Sequence, residues 1–315
     1  GIYNAWISFD DLALANQLSF YLLIFILGLF ILENLSRKKA QYHSPSKGGF
    51  KKKSLTTLYG LKAWLAFSFC FLVFFISFLF PVLQMLYWTV IFPKHLADLN
   101  LFELFSNTII LVSLSSIVLI GFAFISNYGN RLSRSKFLEI LTTFSISGYA
   151  IPGIILAVAF ITFISWFDNN IINLFEIRNI KSIFIGSILG LVVVYFIRFY
   201  SLASNGIKSG YLKINYSIDE SAYLLGYSKF KTFKNIHIPY LKNSIMLIGI
   251  LIAIEIIKEL PITLIMRPFN FETFATQAYI FASQDLLEAA AAPSLFLILI
   301  ASFFILITSR YILKD

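Results

Sequence analysis

Three charged residues sit inside one of the most apolar stretches of the chain. Glu255, Lys258 and Glu259 lie in "IEIIKELP", residues 254–261. Their separations of three and four put all of them on one helix face. At the centre of a bilayer each would cost roughly 2.5–3.5 kcal/mol, so they must pair, face water or sit near the interface. Two chemistries fit. The residues line a translocation path whose carboxylates attract a cation, or Glu259 forms an interfacial ion pair with Arg267 that fixes the helix. Arg198, near the end of another apolar run, reads as a side chain that snorkels to the interface. The three histidines, His43, His95 and His237, fall in separate loops and make no metal-ligand spacing. No Ser-His-Asp, Cys-His or paired-carboxylate arrangement suggests catalysis. "GGFKKKS" (48–54) lacks the spacing of a phosphate-binding loop. Neither a cofactor nor a metal ligand is expected.

The elements that must hold these residues are helices in a membrane. Of 315 residues, 58% are hydrophobic and only 13% charged, against roughly a quarter charged in soluble domains. Mean hydropathy is +0.81. The net charge of +9 does not indicate nucleic acid, because the basic residues lie in loops between apolar runs. Seven runs are long enough to span: about 14–32, 63–87, 107–126, 140–165, 183–203, 243–265 and 293–311. Within the fourth, Gly148, Pro152 and Gly153 of "SGYAIPGIILAV" predict a kinked helix, tolerated where a cavity or neighbouring helices restore the lost hydrogen bond. Loops 33–62, 127–139 and 204–242 are basic, while 88–106 and 266–292 are neutral or acidic. That alternation predicts a multi-pass protein with its N-terminus outside and its C-terminus in the cytoplasm. Cys70 is the sole cysteine, so no intrachain disulfide forms.

An internal echo accounts for the odd number of runs. Ala5-Trp6 matches Ala278-Tyr279, Asp11-Leu12 matches Asp285-Leu286, and Ser36-Arg37 matches Ser309-Arg310. The chain therefore reads as the tail of one repeat (1–36), a basic linker (37–62) and a complete second repeat of six spans (63–315). It starts at Gly1 without a signal peptide, as a piece of a longer chain would.

Between the fifth and sixth runs lies a polar island, "DESAYLLGYSKFKTFKNIHIPY" (219–240). Ser217 and Glu220 have capping-box spacing, and Gly226 sits where a left-handed residue stops a helix. Ile218, Ala222 and Leu225 share one face. A second short helix is expected from Ser228, with Phe230 and Phe233 on one side, ending before Pro239.

The spacing Glu220-Ser221-Ala222, three residues, Gly226, nine residues, Ile236, one residue, Ile238-Pro239 resembles the EAA loop of ABC importer permeases. Ser221 and Ile238 depart from the family's Ala and Leu. Residues 147–158 and 254–279 are similar to the two-repeat ferric iron permeases, and the likeness runs from Gly1 to Arg310. The resemblance implies an all-α polytopic bundle of about seven transmembrane helices, with the type I importer permease fold, in the inner membrane. It implies ABC ATPase subunits that hydrolyse the ATP and dock on loop 204–242. It also implies a periplasmic iron-binding protein received by 266–292. The path would be lined by Pro152, Gly153, Glu255, Lys258 and Glu259. Thiamine, polyamine or phosphonate import remains open within this class. An ion-coupled secondary transporter using Glu255, Lys258 and Glu259 as a relay is the rival from another class.

Overall fold

A computed structural model describes residues 2–7, 9, 11–39, 57–133, 136–174 and 184–312. Among them there is no strand. In chain order the helices are α1 (Ile2–Ile7), α2 (Leu12–Lys39), α3 (Leu61–Phe74), α4 (Phe80–Ile91), α5 (Pro93–Ala97), α6 (Leu101–Ser133), α7 (Lys136–Ile146) and α8 (Gly153–Leu174). There follow α9 (Ile188–Tyr211), α10 (Tyr216–Leu224), α11 (Lys229–Thr232), α12 (Ile238–Tyr240), α13 (Lys242–Ile257), α14 (Pro261–Met266), α15 (Phe274–Ser283) and α16 (Leu287–Ile312). Six helices among the described residues are long and apolar enough to cross a membrane, or seven if the bent pair 229–240 and 242–257 counts as one. Most of the basic linker, 40–56, lies outside the described residues, as do His43 and Arg134.

The centre is built by α6, α9 and α13, which pack on one another. Their fully buried side chains include Leu111, Leu119, Leu191, Tyr195, Phe199, Ile207 and Ile252. The helix formed by α3, a π turn at Phe75–Leu79 and α4 buries none of its residues. It meets the rest through α16. α2 lies on α8, where Asn16 Nδ2 donates to Thr162 Oγ1 at 3.1 Å.

Two of the expected spans are interrupted. The run 140–165 is not one kinked helix: α7 ends at Ile146, a 3-10 turn covers Ser147–Ala150, and α8 begins at Gly153. Pro152 cannot donate to the helix ladder and disfavours helical backbone before it, so the expected kink becomes a break. The run 243–265 breaks likewise at 258–260, and Pro261 opens α14, a first-turn place where no N–H is needed. Loops 127–139 and 204–242 meet at one end of α6, where Arg131 reaches Asp219. Loops 88–106 and 266–292 meet at the other, where Asn107 Nδ2 donates to the Glu272 carbonyl at 3.0 Å.

Candidate functional site

The island is two short helices joined at a glycine, but its N-terminus differs from expectation. Asn215, not Ser217, caps α10: its Oδ1 accepts from the Ser217 N–H at 3.3 Å. The helix thus starts at Tyr216, which leaves Glu220 exposed and no capping box. At the other end Gly226 has φ 81°. Its N–H donates to Tyr223 O, and the Tyr227 N–H donates to Ala222 O, each at 3.0 Å. That pair of bonds closes the helix in the way a left-handed glycine permits. Ser228 caps α11 as expected, accepting from the Lys231 N–H at 3.3 Å.

The second helix does not end before Pro239. A π turn, Phe233–His237, lets the Ile238 N–H reach Phe233 O, and α12 then starts afresh with Pro239 in its first turn. The wider turn places the proline where its missing N–H is not called on. Phe230 and Phe233 part company: Phe233 packs on Phe124 and Tyr128, while Phe230 is exposed. Three residues along a helix leave two side chains about 60° apart, enough to straddle the edge of a narrow contact face. Ala222 is buried and Ile218 half-buried, whereas Leu225, just past the helix, is exposed.

The inner face of the island is held by charge. Asp219 Oδ2 accepts from Arg131 Nε at 2.6 Å, with side-chain exposures of 10% and 7%. Arg131 Nη2 also donates to the carbonyls of Ile214 and Asn215, both at 3.1 Å, and its guanidinium stacks 4.2 Å from the Tyr216 ring centre. Tyr128 OH donates to the Lys229 carbonyl at 2.6 Å. His237 is fully enclosed, with Nε2 2.9 Å from Asp219 Oδ1 but off the line of a hydrogen bond. Neither Asp219 nor Arg131 stood out in the sequence as a pair, because 88 positions separate them. Among the described residues nothing covers the outer face: Glu220 and Ser221 are exposed with Leu224, Leu225, Phe230, Ile238 and Pro239, and a shallow groove runs past Ser221, Ala222, Tyr227 and Ile236.

Segment 229–240 turns 69° away from α13 and carries Lys229, Lys231 and Lys234, so His237 lies outside the spans. Burial lowers its pKa below 6.5, Arg131 lowers it further, and Asp219 acts in the opposite sense. The imidazole is thus neutral in the folded island and regains an ordinary pKa when the island opens. Its contribution to stability is complete above about pH 6.5 and is lost as pH falls through the lowered folded value. Protease cleavage within 212–240 should quicken as pH falls below that point, and His237→Gln should flatten the profile. An unchanged profile in the variant would refute the assignment.

The second charged region is the pair of helix breaks. Glu259 is 7% exposed, and its Oε2 lies 3.4 Å from Arg198 Nε, a charge contact rather than a hydrogen bond. Glu259 Oε1 accepts from the Ile262 N–H at 3.3 Å, capping α14. Arg198 Nη1 donates to the Ile151 carbonyl at 3.0 Å, inside the α7–α8 break. Hence Arg198 does not snorkel outward. It turns inward because a carboxylate and a free carbonyl of two broken helices await it. Nor does Glu259 pair with Arg267, which instead pairs with Glu272. Gly153 makes room: a Cβ there would lie 2.6 Å from Glu259 Oε1 and 2.9 Å from Arg198 Nη1. Pro152 is half-buried in the same break. Glu255 and Lys258 pair at 2.7 Å beside this cluster and are more open. Two opposite charges in two separate apolar runs were the sequence signal for this pairing.

At the far end Thr273 caps α15 reciprocally with Thr276, and Glu272 is engaged by Arg267 and Thr276. His95 borders a hollow there with Asp98, Glu103 and Glu272. Among the described residues no group of three or more His, Cys, Asp or Glu could hold a metal ion.

No family model matches the sequence. A curated relative, the Fe(3+)-transport system permease protein FbpB 2 of Haemophilus influenzae, is 21% identical over 280 residues, 88% of this chain and 53% of that protein. The chain thus spans about half the length of that relative. Two solved structures of a bacterial alginate ABC transporter share the fold. One, in complex with a periplasmic protein bound to alginate pentasaccharide, gives a TM-score of 0.63 at 16% identity, covering 79% of this chain and 94% of that one. The other gives 0.61 at 17% identity, covering 79% and 95%. In sequence the chain thus resembles an Fe(3+)-transport permease, and in fold it resembles chains of a bacterial alginate ABC transporter.

Proposed function

We propose that the chain is the C-terminal part of a two-repeat permease that moves ferric iron inward across the inner membrane. The island docks on an ABC ATPase subunit, and the 266–292 end receives a periplasmic iron-binding protein. One observation carries this reading: the island is clamped on its inner face and bare on its outer face, where Glu220, Leu224, Leu225 and Phe230 stand exposed. A body that transmits force between two proteins must be rigid against one and open to the other. Iron is favoured over other solutes by the sequence relative, since the alginate transporters agree in fold alone. The N-terminus then lies outside and the C-terminus in the cytoplasm. The two-repeat reading (1–36, 37–62, 63–315) is supported by a shared order. α1 and α15 are short, each is followed by a break carrying Asp11 or Asp285, and each break leads into the long helix α2 or α16.

The experiment is radiolabelled ferric iron uptake by cells carrying the full-length permease with its ATPase and binding protein, against the same strain with Gly226→Val. Nothing lies within 4 Å of a Cβ at Gly226, so the cost is backbone strain alone, about 1–2 kcal/mol. It falls on the turn that joins the docking helices. Uptake and ATPase association should both drop by about fivefold to thirtyfold. Full activity in the variant would favour the ion-coupled transporter. An assembled complex that hydrolyses ATP but never takes up iron would keep the importer and discard the iron.

A further inference from the structure

We infer that Glu259 and Arg198 form the latch of a gate in the membrane, and that α13 is the lever that works it. The inference rests on the island's docking role and adds the far end of the same mechanism. α13 follows the island directly: the Leu241 N–H donates to His237 O at 2.9 Å and the Ile245 N–H to Leu241 O at 2.8 Å. Motion of the island is therefore handed to α13 through one hydrogen-bonded bend. The opposite end of α13 is the break that carries Glu259.

From there two further elements are gripped. The Glu259 carboxylate faces Arg198 on α9, and Arg198 holds the Ile151 carbonyl in the break between α7 and α8. Both interruptions of the helical framework thus meet at one guanidinium. An interrupted helix is where backbone direction can change without losing a whole ladder of hydrogen bonds, and such breaks mark the moving parts of membrane carriers. The contact is suited to release. It is a 3.4 Å charge contact, Arg198 Nε lacks a hydrogen-bond partner, and the Arg198 side chain retains 20% exposure. Gly153 leaves just enough room for the pair, so a small displacement of α13 must separate Glu259 from Arg198 or drive it into α8. In the latched state the carboxylate is neutralised and unavailable to a passing cation; released, it stands in the path with Glu255.

The test follows accessibility at Ile151, which needs no knowledge of the cargo. Ile151→Cys is introduced into a full-length chain whose other cysteines, Cys70 included, are serine. The chain is assembled with its ATPase subunits in lipid nanodiscs and labelled with a charged, membrane-impermeant maleimide. Labelling should be slow with the latch intact. Glu259→Gln and Arg198→Met should each speed it by about tenfold or more. The double variant should be no faster than the faster single one, since both remove the same contact. Arg198→Lys, which keeps the charge but not the fork, should fall between and serves if Arg198→Met does not assemble. Rates within twofold of the parent in every variant would overturn the latch, and so would a double variant whose effects multiply. ATP should alter labelling of the parent but not of Glu259→Gln. If the variants open the site while ATP leaves the parent unchanged, the latch stands and the importer reading, with its lever, fails.

Discussion

Replacing Asp219 by alanine is expected to undock the island from the membrane helices, while the same change at the adjacent Glu220 leaves it in place. Asp219 is the shared partner of Arg131 at 2.6 Å and His237 at 2.9 Å. Deleting one member of a buried pair costs about 3–5 kcal/mol, because the remaining charge is stranded away from water. Arg131 would keep its bonds to the Ile214 and Asn215 carbonyls and its contact with Tyr216, so the lower end, about 3 kcal/mol, is expected. Glu220 is exposed and makes no contact that fixes the island; its loss should change stability by no more than about 0.5 kcal/mol. Limited proteolysis across 212–228 and thermal unfolding of the purified chain separate the two. If the island docks as proposed, ATPase association should show the opposite weighting, since Glu220 lies on the exposed face. Equal protease sensitivity in both variants would mean that the charge clamp does not hold the island.

Gly148→Ala should destabilise the bundle although it adds a single methyl group. A Cβ at Gly148 would sit 2.3 Å from the Ile197 carbonyl oxygen and 3.2 Å from its carbon. Those are backbone atoms of α9 and cannot swing aside as a side chain would. The 3-10 turn must back away from α9, which loosens the neighbouring Arg198–Ile151 bond. Overpacking of this kind costs about 1–3 kcal/mol. Gly129→Ala is the control: it lies inside α6 with nothing within 4 Å of the added carbon. It should raise stability by up to about 1 kcal/mol through helix propensity. Melting temperatures moving in opposite directions would support the close approach at Gly148, and a neutral Gly148→Ala would refute it.

What could be read in advance follows the range of the forces involved. The spans, the glycine stop at Gly226 and the Ser228 cap depend on residues within a turn or two, and they were legible. Proline effects were legible in kind but not in degree: Pro152 breaks its helix where a kink was expected, and Pro261 opens a new helix inside a run read as one span. Pro239, expected as a stop, is absorbed by a π turn. Charges whose partners lie far along the chain were misjudged. Arg198 reads as an interfacial side chain until Glu259, 61 positions later, is brought beside it. Emphasis on Glu220 over Asp219 had the same origin, since only the approach of Arg131 separates two adjacent acids.

The helix running from Leu61 to Ile91 carries a different implication. Its 31 residues extend about 46 Å at ~1.5 Å per residue, against a hydrocarbon core about 30 Å thick. None of its side chains is buried among the described residues, and its packing on α16 is through α4, so most of its surface is left to face lipid. The excess becomes a matter of lipid, through tilt, local thickening or an overhang into the headgroups. The chain thereby acquires a sensitivity to acyl-chain length and membrane thickness, entering through this one helix rather than through the charged centre.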